Sequence, residues 1–372
     1  MTGKVVGRRS IDSQSGGSSS SSTGAGFINA GCGGISLQGV ERCVAVLLGI
    51  SSASSSCRRR TWLSLFGVSD EPSSHFVPHA AAAAASSEDE QVRLDVNRCL
   101  YCHELPVLPS AASPVPSAEA EASLAARRQE LYDVIVSVIH SDASFKYTQG
   151  FHDFCAAVLH VIGWGGGFGD EGIVLREFIC AVGRRHLRPS LCDPNLDAAS
   201  AACSRVFRAL FEIDRQLAVH LENLAVNPIV CLSWILTLFT HPLSGHKAEV
   251  SEVLDFIFAS DDDFTVLLSA CIMADNSPAL LQVRDSGDAF KAVLQCPSIS
   301  LLPTHRRRLC LCRALQISLS KYAGGRDGAV AASSACAAAA APSVRAAAAA
   351  MESGPASASA ARPVETRPYA PQ

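Results

Sequence analysis

Methionine is scarce in this sequence, with three in 372 residues, and tryptophan is equally rare. So few thioethers leave a haem iron little choice of axial methionine, although histidine is available. No stretch reaches the roughly 18 strongly apolar residues of a membrane-spanning helix, so none is expected. The alanine tracts near the C-terminus are weakly apolar and interrupted by Pro342 and Arg345. No charged-then-apolar export signal precedes the short apolar run 44–50, which sets the expectation of a cytoplasmic, reducing setting. The formal net charge is -4, which gives no electrostatic footprint for nucleic acid. Alternating apolar and polar residues are rare and no internal repeat is visible, which argues against sheet-based and repeat architectures.

Cysteine, by contrast, is abundant. The 15 cysteines are odd in number and scattered, unlike the framework of a small secreted disulfide scaffold. In a reducing setting most would be buried as small hydrophobic side chains. Low-complexity sequence is abundant too. Residues 9–26 are mostly serine and glycine, and from 329 onward the chain is largely alanine, serine and proline. Such stretches lack the large apolar groups that offset ordering entropy. The expected layout is a disordered N-terminal region 1–56, one folded domain 57–322 and a disordered tail 323–372. Alanine- and proline-rich insertions fall near 70–90 and 104–118.

Within the domain the apolar spacing is helical. Stripes predict helices over 119–140, 149–163, 171–184, 200–224, 249–258, 264–273 and 306–320. The run 228–239 is apolar nearly all round, which predicts a central buried helix opening on Pro228. Glycine and proline clusters such as "DNSP" and "QCPSIS" read as the loops between. The predicted fold class is all-α. The arginine clusters 58–60 and 306–308 read as solvated faces or helix ends.

One short motif demands explanation. Cys99-Leu-Tyr-Cys102-His103 spells C-x-x-C-H, a pattern shared by haem attachment, redox pairs and half zinc sites. The preceding residues "EDEQVRLDVNRCLY" suit a helix with an acidic start. On it Val92, Val96 and Cys99 share a face, with Leu100 beside it. Haem would need export, a redox pair would need a preceding strand, and zinc would need more ligands at suitable spacing. The cysteines therefore read as core residues of that helix. A metal or haem protein using Cys99, Cys102 and His103 remains a competing reading.

Three pieces in order resemble the TBC domain of Rab GTPase-activating proteins. "RRRTWLSLFGV", with Arg60, Trp62, Leu63 and Leu65, is similar to the family's opening R-x-x-W-x-x-L region. Val92-x-x-Asp95-x-x-Arg98 is similar to its I-x-x-D-x-x-R motif, and Tyr147-Thr148-Gln149-Gly150 to its Y-x-Q-G motif. "YTQGFHDF", "LSWILTLFTHPLS" and "VLDFIFAS" look like the branch anchored to the endoplasmic reticulum through its C-terminus. The resemblance covers 57–305.

The resemblance implies an activator rather than an enzyme with its own turnover. Its partner would be a Rab-family small GTPase in the GTP-bound form, and the activity would serve vesicle trafficking. Arg98 would be the arginine finger and Gln149 the glutamine finger. Asp95, Tyr147, Gly150 and Asp153 would support them. An arginine supplied in trans stabilises charge on the transferred phosphoryl group, typically worth about 10³–10⁵ in rate. No cofactor of its own and no metal are implied, since GTP and Mg²⁺ belong to the partner. Nucleic acid is not an expected partner. Membrane contact would be indirect or through a missing anchor, at endoplasmic reticulum or Golgi membranes. The alternative is a catalytically inactive TBC fold that binds a Rab or serves as a scaffold.

Overall fold

The computed structural model describes residues 55–71, 87–102, 118–164 and 170–322. The expected disordered flanks, His103 and most of both inserted stretches lie outside the described residues. The fold is all-α, with no strand among the described residues. Its helices are α1 (Ser55–Leu65), α2 (Ser87–Asn97), α3 (Ala118–Ser141), α4 (Phe151–Ile162), α5 (Asp170–Val182) and α6 (Arg188–Leu191). A wide π turn, Gly183–Leu187, joins α5 to α6. Then come α7 (Asp197–Ile213), α8 (Arg215–Asn223), α9 (Leu232–Thr237), α10 (Lys247–Ala259) and α11 (Phe264–Asp275). The described residues end in α12 (Ser277–Leu280), α13 (Ser286–Leu301) and α14 (Thr304–Tyr322). No single described helix is long and apolar enough to cross a membrane.

The core is built around α4 and α11. α4 packs against α1, α3, α9 and α10, while α11 packs against α7 and α14. Every residue from Phe264 to Met273 is buried, so α11 is the helix with no polar face. The run 228–239, predicted for that role, is different. It is a 3₁₀ turn, Pro228–Cys231, followed by the short α9. Ile229 is 43% exposed and Leu232 half-buried, so one apolar face of this segment stays open. Leu238 and Phe239 then take left-handed φ of 49° and 65°, each costing about 1–2 kcal/mol. The buried Phe239 ring stacks on Trp234 at 6.0 Å, and such burial contributes a comparable amount.

The predicted helix 200–224 is two helices. Its stripe runs on through the break, because Val206, Leu210, Leu217 and Leu221 are all buried. The break comes at Asp214, whose backbone is non-helical (φ -146°, ψ 83°) and whose carboxylate accepts from the Leu217 N–H at 3.0 Å. This N-cap satisfies a donor that a restarting helix would leave unpaired. The stretch "QCPSIS", which reads as a loop because of Pro297, is instead the second half of α13. That helix starts on the Asp285 cap and buries Ala289, Val293 and Pro297 itself on one side. Burial of that face outweighs one missing N–H.

The arginine that shares a partner with Trp62 is not Arg60, the one the sequence suggests, but Arg58. Arg58, one helical turn before Trp62, bonds Asp255 through Nε at 3.1 Å, and the Trp62 indole N–H donates to the same carboxylate at 2.7 Å. An i,i+4 spacing puts both side chains on one face of α1; Arg60 is on the exposed side. Trp62 meets Phe258 edge-on at 4.9 Å. The second arginine cluster lies at the start of α14, one of the two places the sequence suggests, and is ion-paired there. Arg306 bonds Asp275 through Nε at 2.9 Å, and Arg307 and Arg308 bond Glu252 at 2.7 and 3.0 Å.

Candidate functional site

Two turns and one short helix build the site. The first turn ends α2. That helix stops at Asn97, so Arg98 and Cys99 are not helical, contrary to the sequence reading. The Arg98 and Cys99 N–H groups bond back to Asp95 and Val96 at 3.2 Å each, and the chain tightens into a 3₁₀ turn, Leu100–Cys102. This swings Leu100 out to 60% exposure while Cys99, Tyr101 and Cys102 stay buried. The Tyr101 hydroxyl pins the turn by donating to the Thr240 carbonyl.

The second turn, 147–150, starts α4. The Thr148 hydroxyl donates to the Ser190 carbonyl at 2.9 Å. Gly150 takes φ 102°, a conformation side chains rarely adopt, and a Cβ there would meet the Thr237 methyl at 3.0 Å. This turn therefore approaches α9 closely at Gly150. Gln149 is left exposed at the tip.

Between the turns lies a polar network. Asp95 is fully buried. Its Oδ1 accepts from Arg98 and from Gln91 at 3.1 Å, and its Oδ2 from the Tyr147 hydroxyl at 2.7 Å. The Arg98 side chain is 60% exposed, so its guanidinium reaches solvent from a buried anchor. Tyr147 also contacts His152 Nδ1 at 3.1 Å. Asp153 Oδ2 holds His241 Nδ1 at 2.7 Å, and the Cys99 thiol points at its Oδ1 from 3.8 Å.

Burial sets most of the protonation tendencies here. It pushes the Tyr147 hydroxyl pKa well up, helped by the Asp95 carboxylate. It pulls His152 down, against the raising influence of Asp153 and Asp95. His241 goes the other way, because its bond to Asp153 raises it despite desolvation. Cys99 is raised by its hydrogen bond with Cys102 and by burial. Cys102 is lowered by that same bond, with burial opposing and Arg128 and Arg127 helping.

Arg98 and Gln149 border one cavity of about 530 Å³, with Leu232, Leu236 and His241 among the residues facing them. All six residues singled out in the sequence are therefore brought together: Asp95, Arg98, Tyr147, Gln149, Gly150 and Asp153. His241 and the α9 wall were missed. His241 sits 88 positions from Asp153, in a segment whose proline and glycine read only as a loop. Chemically, the site offers an anchored guanidinium and an exposed amide beside an apolar wall. The cysteines of the C-x-x-C-H motif are buried as expected, but on a turn.

Such a helical fold, carrying these motifs on two facing turns, matches the Rab-GTPase-TBC domain family over residues 55–281. This chain belongs to that family. Relatives include human TBC1 domain family member 20, 24% identical over 218 residues, which are 58% of this chain and 48% of that protein. GTPase-activating protein gyp10 of Schizosaccharomyces pombe is 22% identical over 229 residues, 61% of this chain and 55% of that protein. The chain thus spans about half the length of the curated relatives it matches. Among solved structures, the Chlamydomonas flagellar RabGAP TBC domain aligns with a TM-score of 0.50 at 16% identity, covering 74% of this chain and 83% of that one. That likeness is one of fold.

Proposed function

We propose that this chain is an activator of GTP hydrolysis by a Rab-family GTPase, with Arg98 and Gln149 entering the partner's site. The observation that carries the reading is the anchoring of an exposed guanidinium to a fully buried carboxylate, beside an exposed glutamine on the same cavity. Arginine stays charged and presents a planar fork to phosphate oxygens. Held by Asp95, it would meet charge that builds on the transferred phosphoryl group. The Gln149 amide can donate to phosphate and accept from water, which suits it to orient the attacking water. Asp95 and Tyr147 fix the arginine turn. Gly150 allows the glutamine turn to sit against α9, and Asp153 ties α4 to His241.

GTP and Mg²⁺ would arrive with the partner in its GTP-bound form; the hydrolysis chemistry asks no cofactor of this chain. Its place would be the cytoplasmic side of endoplasmic reticulum or Golgi membranes, regulating vesicle traffic. A fork needed only in the transition state should matter little to ground-state binding. The test compares the wild-type chain and Arg98→Ala for binding to a Rab loaded with GTP or with GDP and aluminium fluoride. The variant should bind the GTP form nearly as wild type does and lose the preference for the fluoride complex. Equal preference in both proteins would remove Arg98 from the role.

A further inference from the structure

We propose that Cys99, His152 and Asp153 form a zinc site beneath the two turns. Their donor atoms, Sγ, a ring nitrogen and a carboxylate oxygen, all lie within 4.8 Å of one another. Two edges of this triangle are resolved: Cys99 Sγ to Asp153 Oδ1 is 3.8 Å, and His152 Nε2 to Asp153 Oδ1 is 3.4 Å. Tetrahedral zinc with bonds of about 2.0–2.3 Å separates such donors by about 3.3–3.6 Å. The side chains stand close to the spacing the ion would impose. Thiolate, imidazole and carboxylate are each ligand types that zinc takes.

The surroundings of the donors carry the argument further. Metal-bound imidazoles are usually held through their other nitrogen, and ligating carboxylates through their other oxygen. His152 Nδ1 meets the Tyr147 hydroxyl at 3.1 Å and lies 3.8 Å from Asp95 Oδ2. Asp153 Oδ2 is held by His241 Nδ1 at 2.7 Å. Nε2 and Oδ1 are thereby turned toward Cys99. Three protein ligands leave a fourth position for water, and the 530 Å³ cavity that His152 and Asp153 border supplies both an entry path and the room. In binding, a Zn–S bond replaces the S–H bond of Cys99, and the thiol proton leaves to solvent.

The site is not the C-x-x-C-H motif, because Cys102 stands outside the cluster. Cys99 directly follows Arg98, and His152 and Asp153 come shortly after Gln149. The ion would therefore fasten the arginine turn to the glutamine turn. That consequence rests on the proposed function; the metal site itself does not.

The test uses the full chain, stripped with a chelator and titrated with Co²⁺ as a spectroscopic probe. Expected are a thiolate-to-cobalt charge-transfer band and the visible bands of four-coordinate cobalt, both removed by one equivalent of zinc. Cys102→Ser should keep them. Cys99→Ser should lose the charge-transfer band, and His152→Asn should weaken cobalt binding at least about tenfold. A wild-type chain with no such band overturns the proposal, as does a band that survives Cys99→Ser. Should Cys99→Ser fail to fold, full-strength binding in His152→Asn would overturn it equally. No Rab enters these measurements, so a failed hydrolysis assay would leave them standing.

Discussion

Tyr147→Phe removes a single oxygen from the centre of the site, and its cost can be worked from the structure. The hydroxyl donates to Asp95 Oδ2 at 2.7 Å. Asp95 is fully buried, so its Oδ2 would lose a partner inside the protein. Gln91 and Arg98 both bond the other oxygen, Oδ1, and His152 Nδ1 lies too far from Oδ2, at 3.8 Å, to replace the bond. A hydrogen bond to a charged group is worth about 1.5–3 kcal/mol when its partner is left buried. Phenylalanine keeps the ring packing, so no cavity is added. The expected loss is about 2 kcal/mol, which for a domain of this size lowers Tm by about 4–8 °C. Thermal unfolding of the full chain, followed by circular dichroism, measures it. An unchanged Tm would mean that Asp95 is not held as described, and the anchoring of Arg98 would lose its support.

Gly150→Ala should destabilise the chain by about 1–3 kcal/mol, since its φ of 102° strains any side chain and the new Cβ would press on Thr237; chemical denaturation checks this, and a neutral result would mean the turn is not fixed against α9. Asp255→Ala should cost about 3–5 kcal/mol, because it strands the Arg58 guanidinium and the Trp62 N–H in a buried setting. Burial raises the Asp255 pKa to about 6 in the folded protein, against an ordinary value of 3.8. The folded state then binds this proton more tightly than the unfolded chain. This group's contribution to stability should therefore fall as pH rises from about 4 to about 6 and level off above. Asp255→Asn keeps an acceptor for Trp62 and should abolish that slope; an unchanged slope would refute the assignment.

Helices with one clear apolar stripe were legible in the sequence. α3 is the plainest case, with Leu131, Val134, Ile135 and Val138 all fully buried. Breaks were harder to read, because the apolar period continues through Asp214 and only its side-chain cap marks the new start. Pro297 misled in the opposite direction, since local punctuation says stop while burial of one face carries α13 onward. Five of the six candidate residues lie in two short motifs, and Asp153 follows three positions after the second. Asp153 with His241, and Cys99 with Asp153, are meetings between distant segments. No local spacing encodes them; only the packing of α4 between the α2 turn and the segment after α9 brings them together. Arg58 could have been found from its i,i+4 spacing to Trp62, but three successive arginines hide which one faces inward.

The most direct test of the account is single-turnover GTP hydrolysis on a panel of purified Rab proteins. It would compare the full chain with Arg98→Ala, Arg98→Lys and Gln149→Ala. The account predicts acceleration on one or a few Rabs and loss of most of it in every variant, lysine included, because a point charge does not replace the guanidinium fork. Wild-type acceleration that survives in folded Arg98→Ala or Gln149→Ala would contradict it, as would a folded wild-type chain that accelerates none of the Rabs.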